Sequence, residues 1–351
     1  MEIRGSKVLV TGGAGFIGSH LAGVLLERGN QVLVVDDFSS GSEANLAPFR
    51  GDARLEVVRA DVCDADALMP LFRGIDFAFH LATRNVRLSL RQPTQVHEVN
   101  TTGTLNVLKA AAAAGVSRFL YCSSSEVNGT ADQVPMPEDY HYRPETVYGA
   151  SKLAGEYYAQ VFFRAGWVPT VIARPHNNYG PRAHYAGHNA EVIPRFILRA
   201  LAGLAPVIYG DGRQTRDFTY VRDTAQLLVA LLECDQAEGQ TVNVCREEEL
   251  SVRDLALIIL ELTGLELAPV FRAARPSDVQ RLYGSNARLA RLLGATPPTG
   301  IREGLRMTID WYRTHVALTP GLLAELDQAN WGNIASEPWL AALPAARLRS
   351  R

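Results

Sequence analysis

The chain is short of cysteine, of long apolar runs and of charge bias, and each shortage excludes something. Its four cysteines, Cys63, Cys122, Cys234 and Cys245, are scattered without a CxxC or any metal-ligand spacing. A disulfide framework and a thiolate metal centre are thereby excluded, and the cysteines read as small core residues in a reducing compartment. No apolar stretch reaches the roughly 18 residues of a membrane span. The first strand pattern begins at the very N-terminus, which leaves no room for a signal peptide, so a cytoplasmic location is expected. A formal net charge of -2 gives no general field for nucleic acid or a membrane surface, and neither is expected as a partner. Anionic ligands must instead be met by local arginines. What is present, 351 residues at 47% apolar and 21% charged, is an ordinary globular composition. The length suits a two-part α/β chain with a large core.

The chain is organised around Lys7 to Gly18, KVLVTGGAGFIG. Val8, Leu9 and Val10 read as a strand buried on both faces. Gly12, Gly15 and Gly18 follow at once, and Phe16 to Arg28 reads as a helix closed by Gly29. A dinucleotide pyrophosphate needs this order: a turn tolerant of positive φ, a backbone the phosphates can approach, and a helix N-terminus with free N–H groups. A second strand, Gln31 to Val35, ends in Asp36, where a carboxylate accepts from ribose hydroxyls and repels a 2′-phosphate. The expected cofactor is therefore NAD rather than NADP.

The first half alternates strands (Val8–Val10, Val32–Val35, Leu55–Arg59, Phe77–Leu81, Phe119–Cys122, Thr170–Ala173) with helices, of which Asn100–Ala114 is the clearest. Such alternation predicts a doubly wound parallel sheet with helices on both faces, and ligands at the carboxyl ends of its strands. Residues just after each strand are thus the candidates. Asp61 could cap the next helix or reach the adenine. Leu81 and Ala82 are small enough for a nicotinamide ribose to pass. Arg87 is either a solvated arginine or a contact to an anionic substrate group. Strand five ends in Ser123-Ser124-Ser125-Glu126, and Tyr148 and Lys152 stand four apart on one helical face. The ammonium is expected to bring the phenol down from its usual ~10. Tyr148 with the Ser124 hydroxyl then makes a general acid/base pair for a sugar alcohol.

TGGAGFIG, DDFSSG, HLAT, SSSEVNG, YGASK, RPHNNYGPR, GDGRQTRDFTYVRD and RPSD together resemble the extended short-chain dehydrogenase/reductase family. Within it the chain is most similar to the NAD-dependent nucleotide-sugar epimerases, dehydratases and decarboxylases. The resemblance runs from the first strand to about Arg313. It implies that Gly12, Gly15, Phe16, Ile17, Asp36, Asp61, Tyr148 and Lys152 hold NAD and that Ser124 and Tyr148 move the proton. It also implies a Rossmann domain over residues 1–180, with 214–245 returning to it, and a smaller mixed nucleotide-sugar domain from 181–213 and 246–315. Residues 316–351 have no family counterpart; Leu322–Leu326 and Trp339–Leu343 could form short docking helices or a poorly ordered tail. Thr83-Arg84 and Asn128 depart from the family pattern, and both are expected in the sugar pocket.

In the second half, the position of Asn177 approaches the substrate diphosphate in the family, and His176 is expected beside the nicotinamide. Arg216 and Arg275 are the expected diphosphate clamps, since a guanidinium fork fits phosphate oxygens. Gly210-Asp211-Gly212 reads as a hairpin-type turn, and Arg216–Val221 as a strand returning towards the sheet. His184, His188 and Glu191 match no tetrahedral ligand set and read as a solvated substrate loop, so no metal is expected. Helices at Val221–Leu232, Val252–Leu262, Asn286–Leu293 and Ile301–Arg313 are expected to complete a cap. The expected first step is oxidation of the sugar at C4. Glu126 then discriminates: a 4-epimerase needs no carboxylate there, whereas a dehydratase needs a base for the C5 proton. The order of expectation is 4,6-dehydratase, then UDP-glucuronate decarboxylase, then 4-epimerase. A non-catalytic NAD-binding protein remains as a different class, disfavoured by the intact Ser124, Tyr148 and Lys152 set. The resemblance also implies a homodimer through Asn100–Ala114 and Tyr148–Arg164.

Overall fold

Seven short apolar strands form one parallel sheet. They are β1 (Lys7–Thr11), β2 (Gln31–Asp36), β3 (Leu55–Arg59), β4 (Phe77–His80), β5 (Arg118–Cys122), β6 (Thr170–Pro175) and β7 (Thr241–Val244), ordered β7-β6-β5-β4-β1-β2-β3. The computed structural model describes residues 1–274 and 279–328. Alternate residues of each central strand enter two different cores. Val8, Val10, Phe77 and Phe79 meet α1 (Phe16–Glu27) on one face, while Leu9, Ala78, Phe119 and Tyr121 meet α2 (Thr104–Ala114) and α3 (Val147–Arg164) on the other. Two-sided burial is why these strands read as continuous apolar runs. The order reverses beside β1, which opens a crevice at the carboxyl ends.

A third core belongs to the second half. There Ile193, Phe196 and Ile197 of α4 (Val192–Leu201) meet Leu255 and Ile259 of α6 (Val252–Thr263) and Leu305 and Ile309 of α7 (Ile301–His315). The helix between α4 and α6, α5 (Val221–Glu233), lies elsewhere: its Ala225, Leu228 and Leu232 join the sheet core beside α1. Ala287–Leu293 also belongs to the sheet, with Leu289 in that core. Of the four helices expected in a cap, only α6 and α7 are in it. The last described helix, α8 (Pro320–Asp327), docks on α4: Leu326 is buried, and Arg195 donates to the carbonyls of Leu326 at 2.6 Å and Gln328 at 2.5 Å. Trp339–Leu343 lies outside the described residues.

Three other local expectations change. Helical structure preceding α2 begins at Pro93 and runs through a π-turn, Glu98–Gly103, before α2. The expected helix, Asn100–Ala114, starts too late: Pro93 sits in the first helical turn, where its missing N–H costs nothing. Arg216–Val221 is not one strand returning to the sheet. Thr215–Asp217 pairs with Glu249–Ser251 and Arg281–Leu282, whereas Thr219–Tyr220 pairs with Asn178–Tyr179. The break follows from Asp217, which turns inward to accept the N–H groups of Arg246 at 3.1 Å and Glu247 at 3.0 Å. Gly210 and Gly212 do take positive φ, but the strands they join pair with other partners, so the turn closes no hairpin.

One ion pair holds the reactive side of the sheet. Arg174, at the end of β6, donates through Nε and Nη2 to Glu156 of α3, each at 2.7 Å, and both side chains are sealed from solvent. Arg174 also reaches the Glu138 carbonyl and the Tyr142 hydroxyl, each at 2.9 Å, and Glu156 accepts from Ser123 Oγ at 2.6 Å. Removing one member of a buried, saturated pair leaves the other charge stranded. Glu156→Ala is expected to lower unfolding free energy by about 3–5 kcal/mol in urea denaturation; a loss below ~1 kcal/mol would show that the pair carries little.

Candidate active site

A cavity of about 650 Å³ opens at the carboxyl ends of the strands and continues under α4 and α6. Its floor is the glycine turn. Gly12 has φ +69°, and a Cβ there would stand 2.6 Å from the Ala82 nitrogen; a Cβ on Gly18 would stand 2.1 Å from the Gly12 carbonyl oxygen. Only glycine permits these approaches. Gly15 is the N-cap of α1, which has no side-chain cap and no acidic residue in its first turn. The first N–H groups and the positive end of the helix dipole therefore remain for an anion.

Asp36 is fixed at the end of β2. Its Oδ2 accepts the Ala14 N–H and its Oδ1 the Phe38 N–H, both at 2.9 Å. Burial pushes its pKa up, and the two N–H bonds oppose that rise. Asp61 lines the same wall and accepts from Cys63 N at 2.9 Å. The cap of the following helical turn is Asp64, which accepts from Ala67 N at 3.0 Å, so Asp61 is not the cap. Arg84, after β4, reaches across to Asp37 at 2.8 Å.

At the other end, Ser124 opens a turn at the exit of β5, and its Oγ accepts the Glu126 N–H at 3.2 Å. Thr146 caps α3 by accepting from Gly149 N at 3.0 Å, which brings Tyr148 and Lys152 to the cavity one turn apart. Lys152 Nζ donates to the Cys122 carbonyl at 2.5 Å and lies 4.6 Å from the Tyr121 ring centroid. Burial draws its pKa down to about 8. The Tyr148 phenol moves the other way from expectation. Burial pushes its pKa above the usual value; the hydrogen bond with Ser124 lowers it only in part, and the nearby Glu126 carboxylate raises it further. The polypeptide alone keeps Tyr148 protonated.

Of the other sequence candidates, Phe16, Ile17, Leu81, Ala82, Arg87, Glu126, Asn177 and Arg216 all line the cavity. Arg275 lies outside the described residues. Two expectations fail. Asn128 is buried behind the wall, where its amide donates to the carbonyls of Tyr140 at 3.2 Å and His141 at 3.1 Å. His176 is also buried off the cavity, against Gly284 and hydrogen-bonded to Asn243. Two residues were missed. Asn100 in the π-turn accepts from Thr83 Oγ1 at 3.0 Å and Arg84 N at 2.7 Å and donates to Ser151 Oγ at 3.0 Å, tying the β4 exit to α3. Glu191, read as part of a solvated loop, lines the cavity, and burial lifts its pKa to about 7 against the pull of Arg87. Neither carried a motif. Among the described residues no group of three His, Cys, Asp or Glu could hold a metal ion, and no helix is long and apolar enough to cross a membrane.

A parallel doubly wound sheet, a glycine turn at the first crossover and a Tyr-x-x-x-Lys helix beside a strand-terminal serine define a dinucleotide-binding protein of the short-chain dehydrogenase class. Residues 8–245 match the NAD dependent epimerase/dehydratase family. The UDP-glucose 4-epimerase of Mycolicibacterium smegmatis is 35% identical over 88% of this chain and 98% of its own. UDP-glucuronic acid decarboxylase 1 of Xenopus tropicalis is 34% identical over 88% of this chain and 72% of its own. The crystal structure of DesIV, a dTDP-glucose 4,6-dehydratase from Streptomyces venezuelae with NAD bound, superposes with a TM-score of 0.84 at 32% identity, covering 90% of this chain and 99% of that one. The chain belongs to the NAD-dependent epimerase/dehydratase family. Its residues fit the cofactor: a cradle that any Cβ would fill, an uncapped helix start and a fixed carboxylate at the end of β2.

Gly18→Ala should therefore expel NAD, because the new methyl occupies space already held by the Gly12 carbonyl. The check is the nucleotide released on acid denaturation of purified protein, with circular dichroism confirming the fold. Retention of wild-type NAD by folded Gly18→Ala would contradict the cradle.

Proposed function

We propose that the protein is a 4,6-dehydratase acting on a hexose carried by a nucleoside diphosphate, through a 4-keto sugar. The observation that carries this reading is Glu126, a cavity-lining carboxylate beside Ser124 and close enough to Tyr148 to act on its ionisation. Return of hydride to the other face of the sugar requires no such group; removal of a C5 proton does. Residues 1–180 with the returning segment 214–245 hold the dinucleotide in this reading, and 181–213 with 246–315 hold the nucleotide sugar. Asp36 accepts from the adenosine ribose, Asp61 flanks the adenine, Leu81 and Ala82 pack along the nicotinamide ribose, and Asn177, Arg216 and Arg275 meet the diphosphate.

Bound NAD supplies the hydride acceptor and donor, and a positive nicotinamide ring that favours the phenolate the polypeptide alone disfavours. Tyr148 takes the proton of the C4 hydroxyl, while Ser124 donates to the same oxygen and Lys152 stabilises the phenolate. The 4-keto group acidifies C5. Glu126 then removes the C5 proton, the C6–O bond breaks, and that proton leaves with the hydroxyl as water; the hydride taken from C4 is returned at C6 and a proton at C5, so the net change is the loss of one water. A second reading, decarboxylation of a uronate, is favoured by Arg87 at the sugar end of the cavity.

The test is incubation with NAD and a panel of nucleotide sugars, followed by product mass. Loss of one water supports dehydration, and loss of carbon dioxide would overturn it in favour of the second reading. An unchanged mass with a new isomer by NMR would mean epimerisation, and no turnover despite bound NAD a non-catalytic role. Glu126→Gln should cut turnover by about 10²–10⁴ and still permit oxidation at C4, seen as nicotinamide absorbance near that of the reduced cofactor.

We also propose a homodimer built from α2 and α3, supported by Tyr157 and Val161, one turn apart on α3 and about half exposed. Light scattering is expected to return twice the chain mass; a monomer mass would remove this assembly.

A further inference from the structure

The sugar end of the cavity has a wall that no family motif describes. The short helix Val86–Ser89 starts at Asn85, whose Oδ1 accepts the Leu88 N–H at 3.0 Å. Asn85 Nδ2 donates to Asn189 Oδ1 at 2.7 Å, and Arg87 Nη1 donates to the Asn189 carbonyl at 3.2 Å. Glu191 stands two residues further on, at the N-cap of α4. Glu191 makes no side-chain cap hydrogen bond to its own helix. Its side chain instead lines the cavity together with Arg87, His184 and Tyr148.

We propose that Glu191 is a specificity-determining residue that excludes uronic acids, so that the cavity admits a nucleotide-linked hexose whose C6 group is neutral. This rests on the reading above that the cavity takes a nucleotide sugar. Arg87 is the guanidinium that a uronate carboxylate would use, and it already acts on an anionic neighbour, Glu191. A second carboxylate at this wall would set two like charges on one guanidinium in a site sheltered from water, a repulsive element of the kind that rejects wrong ligands. A hydroxyl meets both groups: it donates to Glu191 and accepts from Arg87.

The titratable groups around Glu191 come from four elements: Arg87 on Val86–Ser89, His184 on the preceding loop, Tyr148 on α3 and Tyr312 on α7. Burial keeps both phenols protonated and His184 uncharged at neutral pH. Arg87 stays charged. Glu191, lifted to about 7, is the member of this set that changes charge near neutrality. A raised carboxyl pKa means the neutral form below it and the anion above it, so discrimination against a uronate must grow as pH rises.

Calorimetric titration of the NAD-loaded protein with UDP-glucose and UDP-glucuronate tests this at about pH 6 and pH 8, either side of the group's transition. UDP-glucose is expected to bind more tightly, with an affinity ratio several-fold wider at the higher pH. E191Q is expected to shrink the ratio at high pH by about tenfold, the equivalent of ~1.4 kcal/mol. A wild-type preference for UDP-glucuronate, or a ratio that E191Q leaves unmoved, overturns the proposal. A wild-type ratio flat in pH overturns it too, even if the variant does not fold. These readings are independent of the product formed. A protein that discriminates as expected but eliminates no water refutes only the dehydratase reading; one that eliminates water without discriminating refutes only the role of Glu191.

Discussion

The reactive half of the molecule depends on the buried Arg174–Glu156 pair. Taking both charges out of water costs several kcal/mol per ion unless every donor and acceptor is met, and here nearly all are. Arg174 spends its forks on Glu156, the Glu138 carbonyl and Tyr142, and Glu156 takes Ser123 as well. One interaction thus fixes four things relative to each other: the end of β6, the middle of α3, the residue before Ser124, and the segment from residue 138 to 142. Tyr148 and Lys152 lie on the same helix as Glu156, two turns and one turn before it. The Ser124–Tyr148–Lys152 geometry is therefore set from behind, by a pair that never meets the ligand.

Burial also governs the front of the site, and it acts in one direction. It raises the Tyr148 phenol, lowers Lys152 to about 8 and lifts Glu191 to about 7. Each shift favours the uncharged form. In the reading proposed above, the dinucleotide and the sugar diphosphate bring charge into a site that the polypeptide keeps largely neutral. The expectation that the Lys152 ammonium brings the phenol down is not met in the polypeptide itself: Nζ is held by the Cys122 carbonyl, and burial of the phenol outweighs its hydrogen bond with Ser124.

The dinucleotide half was legible in the chain because its demands are local. A glycine turn, a short continuous apolar run and a carboxylate at a strand end are each written in a few adjacent residues, and the sheet and glycine cradle follow them. What stayed hidden depends on tertiary partners. Asn100 matters through the loop it ties to α3, and nothing in Asn-Thr-Thr-Gly announces a π-turn. Arg174 opens the RPHNNYGPR motif and Glu156 lies one turn beyond YGASK, yet their pairing is a fact of packing. Asn128 and His176 misled because position relative to a strand end was taken for direction of the side chain, and both point behind the wall. The boundary error at Arg216–Val221 has the same origin, since the inward turn of Asp217 answers N–H groups at 246 and 247.

Glu126 and Glu191 stand on opposite sides of Tyr148 along the chain, in its two halves. One leaves the exit of β5 in the dinucleotide half, and the other opens α4 in the second half, yet both act on the ionisation of Tyr148. Carboxylates from two separately packed cores therefore converge on one phenol only when those cores are docked. The docking is built from specific contacts: Arg87 to Asn189 and Asn85 to Asn189, both between the β4 exit and the loop before α4. In the reading proposed above, Glu126 of the dinucleotide half sets which bond breaks next, and Glu191 at the start of α4 sets which sugar is admitted.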